Sequence, residues 1–281
     1  MQVAKFWQEA GGHTVSCLLC PHNCRIPDGK CGICRVRENS GGKLYAASYG
    51  LVSSLALDPI EKKPLDFFHP GSQILSVGGF GCNFHCPFCQ NSHISLEYDQ
   101  AGGELLTPED ILGAAKRTVP KGNIGVAYTY NEPFIGYEFV YDCAKMVHEA
   151  GLKNVIVTNG FINEKALYEL LPFIDAMNID LKAFTPEFYR KIGGDLEAVK
   201  KTITKAFTNC HLEVTTLVIP GENEEDIPAI AEWLAGLSTE LPFHITRFFP
   251  RYKYQDKPPA NGMTISRLAE QASVYLRNVM I

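Results

Sequence analysis

Gly78-Gly79-Phe80-Gly81-Cys82-Asn83-Phe84-His85-Cys86-Pro87-Phe88-Cys89-Gln90-Asn91 is the stretch on which the fold turns. It follows a short apolar run, residues 73–79, whose Ile, Leu and Val read as a strand. The three cysteines are spaced C-x3-C-x2-C. A four-thiolate zinc knuckle would need a fourth ligand, and His85 or His93 lies near enough to supply one. A ferredoxin-type site usually shows C-x2-C-x2-C with a further cysteine. Three thiolates on one loop can instead hold three irons of a [4Fe–4S] cluster and leave the fourth iron open. Gly79-Phe80-Gly81 begins like a dinucleotide fingerprint, but Phe84 stands in the third glycine place and excludes it.

Outward from this loop the chain has a rhythm. Strand-like runs fall at 73–79, 124–130, 154–159, 177–182, 212–219 and 243–249. Helical patterns fill the gaps. Thr107-Pro108-Glu109-Asp110 reads as an N-cap, a Pro at the first helical position and an acidic first turn; Thr185-Pro186-Glu187 repeats it. Residues 134–150 are closed by Gly151, and 163–171 by Pro172. Residues 196–207, 224–237 and 264–280 complete the set. Strand–helix alternation predicts an α/β fold with parallel strands, either doubly wound or a partial (β/α)6 TIM-like barrel. Ligands then bind at the C-terminal strand ends, where Asn131, Glu132, Thr158, Asn159, Asp180, Lys182 and Arg247 fall. Residues 1–70 lack the rhythm and read as a small Cys-rich appendage, with 71–281 as the main domain.

Composition narrows the function. The 281 residues are 46% hydrophobic and 20% charged, enough for a large core and too apolar for disorder. Net charge is −5, which argues against a nucleic-acid binder. No run of about 18 apolar residues predicts a membrane span. Residues 1–13 lack the apolar stretch of a secretion signal, so a reducing cytoplasmic setting is expected. The ten cysteines are then expected as thiols or metal ligands rather than disulfides. Five fall between Cys17 and Cys34 and three between Cys82 and Cys89, which favours metal or iron–sulfur binding.

The Cys82 loop, with aromatic Phe88 before its last cysteine, resembles the signature of the radical S-adenosylmethionine (radical SAM) superfamily. The resemblance implies a partial barrel and a [4Fe–4S] cluster on Cys82, Cys86 and Cys89. It also implies SAM on the open iron and reductive cleavage to a 5′-deoxyadenosyl radical that abstracts hydrogen. Glu132 of Thr129-Tyr130-Asn131-Glu132-Pro133 would accept from the SAM amino group. Thr158-Asn159-Gly160 follows at the next strand end. Asp180-Leu181-Lys182 resembles the Asp-x-Lys of glycyl-radical-enzyme activases, which contacts SAM's ribose or carboxylate. Phe88, Asn131, Thr158, Asn159 and Arg247 join the expected cofactor contacts, and residues 218–223 fall near the adenine.

Cys17-x2-Cys20-x3-Cys24, Gly32-Ile33-Cys34, Asp58-Pro59-Ile60-Glu61-Lys62-Lys63-Pro64 and His244-Ile245-Thr246-Arg247 together resemble AmmeMemoRadiSam-system radical SAM enzymes, relatives of pyruvate formate-lyase activating enzyme. Where the activase typically has Pro-aromatic-His, this chain has Phe249-Pro250-Arg251-Tyr252. The expected activity is that of an oxidoreductase supplied by reduced ferredoxin or flavodoxin. Its substrate is a protein glycine or a small molecule. A non-catalytic zinc or iron–sulfur protein is the rival.

Cys17, Cys20, Cys24 and Cys34 supply four further thiols, with Cys31 and His22 in range. They suit a structural zinc, a second cluster or free thiols. Cys143 and Cys210 stand alone and read as small buried residues. His85 and His93 read as packing residues, and Asp180 with Lys182 could be only an ion pair.

Overall fold

The computed structural model describes residues 2–97 and 102–281. Its centre is an eight-stranded sheet. The strands are β1 Ser54–Pro59, β2 Gln73–Gly78, β3 Asn123–Thr129, β4 Lys153–Thr158, β5 Ala176–Asp180, β6 His211–Val218, β7 Phe243–Arg247 and β8 Val279–Met280. They lie in this sequential order across the sheet. All neighbours pair parallel except β1, which runs antiparallel to β2. The six expected strands are therefore β2 to β7, each within about a residue or two of its predicted limits. Together with their crossover helices they form a partial (β/α)6 barrel.

The strands are apolar because both faces are covered. In β4, Asn154 and Ile156 face the helices, with Asn154 Nδ2 donating to the Ala144 carbonyl. Val155, one residue out of phase, faces the interior. The helices begin as the sequence predicts. Pro108–Thr118 opens on a capping box, in which the Asp110 amide donates to Thr107 Oγ1 and the Thr107 amide to Asp110. The helix Leu196–Phe207 is capped by Asp195. The last predicted helix, 264–280, is shorter. Helix Gly262–Ala272 ends, the chain turns, and Val279–Met280 extends the sheet beside β7. Edge pairing outweighs helix continuation there. Among the described residues no helix is long and apolar enough to cross a membrane.

Small antiparallel sheets built from residues 2–52, one of them completed by Glu104–Leu105, make up the N-terminal part. Residues 54–68, which the sequence reading grouped with this appendage, instead supply edge strand β1 and a plug. Ile60, Leu65 and Phe68 pack with Ile74, Ala127, Val155 and Ala176 from four neighbouring strands, filling one end of the interior. Polar contacts continue the seal. Asn178 Nδ2 donates to the Pro64 carbonyl, and the Asp66 and Phe67 amides donate to the Glu213 carboxylate. Lys63 is buried, paired with Asp58 at 2.9 Å, and sits over the Tyr130 ring.

Glu213 also pairs with His211 and His244. Burial alone would raise its pKa, but the two histidines and the Phe67 amide lower it from 4.5 to about 2. A depressed folded-state value means the stabilisation is complete above pH 4.5 and is lost as pH falls toward 2. The shift corresponds to about 3 kcal/mol at neutral pH. Glu213→Gln is expected to lose roughly that much at pH 7 in urea unfolding. The gap to the native chain should narrow between pH 4.5 and 2; a gap constant with pH would refute this.

Candidate active site

The C-terminal ends of β2 to β5 converge on the cysteine loop. After Gly78 the chain must turn sharply to present three sulfurs, and Gly81 makes that turn with φ +83°. A Cβ there would lie 2.6 Å from the Cys34 carbonyl oxygen and 2.8 Å from Val36. Gly81→Ala is therefore expected to cost roughly 2–4 kcal/mol through strain and overlap. Thermal unfolding would show it as a clear fall in melting temperature; an unchanged transition would contradict it.

Each sulfur lies within electrostatic reach of the other two. The Phe84 amide donates to Cys82 Sγ at 3.3 Å, and the Asn91 amide and Ser95 donate to Cys89. Cys86 is buried. Burial is the main reason all three thiols are pushed up, Cys86 to about 12. A bound metal centre reverses this by taking the thiolate. Three close sulfurs on one loop, already accepting N–H bonds, suit iron–sulfur ligation. His85 and His93 are exposed.

The surrounding residues divide by side. Glu132 is buried beside Cys82. Its Oε1 accepts from the Phe134 amide and Thr158 Oγ1, and its Oε2 from the Asn159 amide. Burial pushes its pKa up to about 7, against these three hydrogen bonds. Asn159 Nδ2 donates to Asn83 Oδ1 at 2.8 Å and lies 3.7 Å from Cys82 Sγ. On the other side, Lys182 Nζ pairs with Asp180 at 2.9 Å, and both act on Cys86 and Cys89. Burial would lower the Lys182 pKa, but Asp180 and Cys86 hold it well above the usual lysine range. The Lys182 amide donates to the Tyr189 hydroxyl, and Asn223 clamps the Lys182 carbonyl.

Three of the expected cofactor contacts have protein partners of their own. Asn131 Nδ2 donates to the Phe80 and Gly81 carbonyls and its Oδ1 accepts from the Gly79 amide. It braces the loop. Phe88 is packed near Phe188 and Tyr254. Arg247 is exposed, with Nε donating to the Ala260 carbonyl and its guanidinium over Phe249. Strand alternation explains Arg247: His244 faces Glu213 inside, so Arg247, three residues on, faces out.

Sequence reasoning missed Asn83 and Tyr189, and it placed Asn223 only within the segment 218–223 expected near the adenine, not as the clamp on the Lys182 carbonyl. Asn83 adjoins Cys82, and that adjacency was its only available signal. Zinc at the N-terminal cysteines is not supported. Among the described residues no three His, Cys, Asp or Glu side chains gather as a single ion requires.

A family model described as the Radical SAM superfamily matches residues 76–234. An uncharacterised protein of Methanocaldococcus jannaschii is 41% identical over 99% of this chain and 86% of its own. The pyruvate formate-lyase-activating enzyme of Clostridium pasteurianum is 27% identical over 58% of this chain and 72% of its own. The structure of Streptococcus suis SuiB bound to S-adenosylmethionine aligns with a TM-score of 0.54 at 14% identity, over 71% of this chain and 47% of that one. At such identity the likeness is one of fold. The family match spans more than half of the chain and includes the cysteine loop, which makes this protein a member of the radical SAM superfamily.

Proposed function

We propose that the protein is a radical SAM oxidoreductase in which Cys82, Cys86 and Cys89 hold a [4Fe–4S] cluster and leave one iron for SAM. When bound, the cluster supplies the electron that cleaves SAM reductively and so enables hydrogen abstraction. The observation that carries this reading is the flanking of the three thiols by an acid on one side and a cation on the other. Glu132 Oε2 takes one hydrogen bond and keeps capacity for an ammonium N–H of SAM. Lys182, held by Asp180, offers a donor to the carboxylate or ribose. Thr158 and Asn159 orient Glu132, Asn159 reaches toward the Cys82 sulfur, and Asn131 fixes the loop. Phe84, Phe161 and Tyr189 pack behind the cysteines and keep water from that side.

The electron comes from reduced ferredoxin or flavodoxin in the cytoplasm. Similarity to an enzyme named as a pyruvate formate-lyase activator supports a protein glycine Cα as the hydrogen source. The test is anaerobic. Protein reconstituted with iron and sulfide is given SAM and dithionite, and 5′-deoxyadenosine is quantified by mass spectrometry. Product is expected. Its absence from protein with verified iron content would overturn the proposal.

A further inference from the structure

The N-terminal cysteines have a cavity of their own, beside the Cys82 loop. Cys17, Cys20, Cys24 and Cys34 come from strand Val15–Cys17 and the loops that follow, and all four line one cavity. Apolar Leu19, Ile26 and Ile135 complete much of its wall. Every pair among the four sulfurs lies within electrostatic reach. Cys31 is exposed and does not line this cavity.

The backbone presents these sulfurs as it presents the barrel cysteines. Cys20 accepts from the amide of His22 and Cys34 from that of Val36, each two residues on. Cys82 accepts from Phe84 and Cys89 from Asn91 in the same register. Amide donors aimed at sulfur stabilise thiolates and are the usual surroundings of iron–sulfur ligands.

Spacing decides which metal fits. Four thiolates on one zinc sit 2.3 Å from it, hence roughly 3.8 Å from each other. Among the described residues no group of three His, Cys, Asp or Glu is placed to hold a single metal ion. A polynuclear centre takes its thiolates on different irons, so the sulfurs stand further apart around a larger volume. Four cysteines around one cavity supply the four thiolates that such a centre takes.

We propose that Cys17, Cys20, Cys24 and Cys34 hold a second iron–sulfur cluster, next to the Cys82 loop. The two centres share a wall. Asn83 lines the N-terminal cavity, and its carbonyl bonds the His22 ring at 2.8 Å. The Cys34 carbonyl abuts Gly81, one residue before Cys82.

The test separates this centre from SAM cleavage. The triple variant Cys82→Ala/Cys86→Ala/Cys89→Ala is prepared anaerobically with iron and sulfide, then desalted over chelator. Iron, acid-labile sulfide and zinc are counted per chain, and electron paramagnetic resonance is recorded after dithionite. The triple variant should keep about two to four irons with matching sulfide and give a reduced-cluster signal. Adding Cys20→Ser and Cys24→Ser should remove all three readouts. The native chain should carry about two to four irons more than Cys20→Ser/Cys24→Ser. A triple variant that binds zinc, or neither metal, while its circular dichroism stays native-like overturns the proposal. So does iron retained by the triple variant after Cys20 and Cys24 are also replaced. Should the serine variants fail to fold, the triple variant alone decides. A chain that makes no 5′-deoxyadenosine leaves this count unchanged.

Discussion

Cys86→Ala is expected to abolish 5′-deoxyadenosine formation while leaving the fold intact. Cys86 is the buried member of the triad, and its sulfur faces the Lys182–Asp180 pair. Alanine is of similar size, so the packing loss is small. The chemical loss is not. Removing even an outer partner of a metal ligand typically costs 10–100-fold, so removing a direct ligand should cost at least about a hundredfold. The barrel iron should fall in parallel. Cys143→Ala is the matched control. Cys143 is also buried, but it lies in helix Tyr137–Glu149, away from the strand ends. Its variant should keep both iron and product. Wild-type product yield from Cys86→Ala would show that these thiols are not the cluster ligands.

Glu138→Ala is expected to be the most damaging single change outside the site. Glu138 accepts both Arg37 Nη groups, at 3.0 and 3.1 Å, and the Lys5 amide at 2.6 Å. Arg37 and Glu138 are almost fully buried, and Arg37 Nη2 also reaches the Lys5 carbonyl. The pair fastens the N-terminal sheets to the barrel helix Tyr137–Glu149. Truncating one partner strands a buried guanidinium, at a cost of about 3–5 kcal/mol. For a domain of this size that is a fall of roughly 10 °C in melting temperature. The double variant Arg37→Met/Glu138→Leu should recover much of the loss, because removing both charges removes the stranded one. If Glu138→Ala melts with the native chain, the pair does not fasten the two parts.

Much of this was legible in the sequence because parallel strands covered on both faces announce themselves as apolar runs. Thr107 marked a helix start through local chemistry that needs no tertiary context. The cysteine loop was legible for the same reason, its spacing being local. Residues 54–68 were not legible. Their partners Asn178 and Glu213 lie far along the chain, and no local pattern encodes such a pairing. Asn131 and Arg247 were placed correctly at strand ends, but their orientation depends on register and on which carbonyls lie nearby. Those are fixed only by packing.

The plug also sets a schedule for folding. Asp66 and Phe67 leave the ribosome early, yet the carboxylate that satisfies their amides belongs to Glu213, 147 and 146 residues later. Until β6 is made, Ile60, Leu65 and Phe68 can pack on β2 to β5, but the Asp66 and Phe67 amides have no carboxylate to close on and that end stays unsealed. Such long-range closure slows folding and leaves the nascent chain dependent on protection from aggregation. A fragment that stops before residue 211 carries every barrel cysteine, yet lacks the strand that holds the plug, so cysteine content alone does not define the smallest unit that folds.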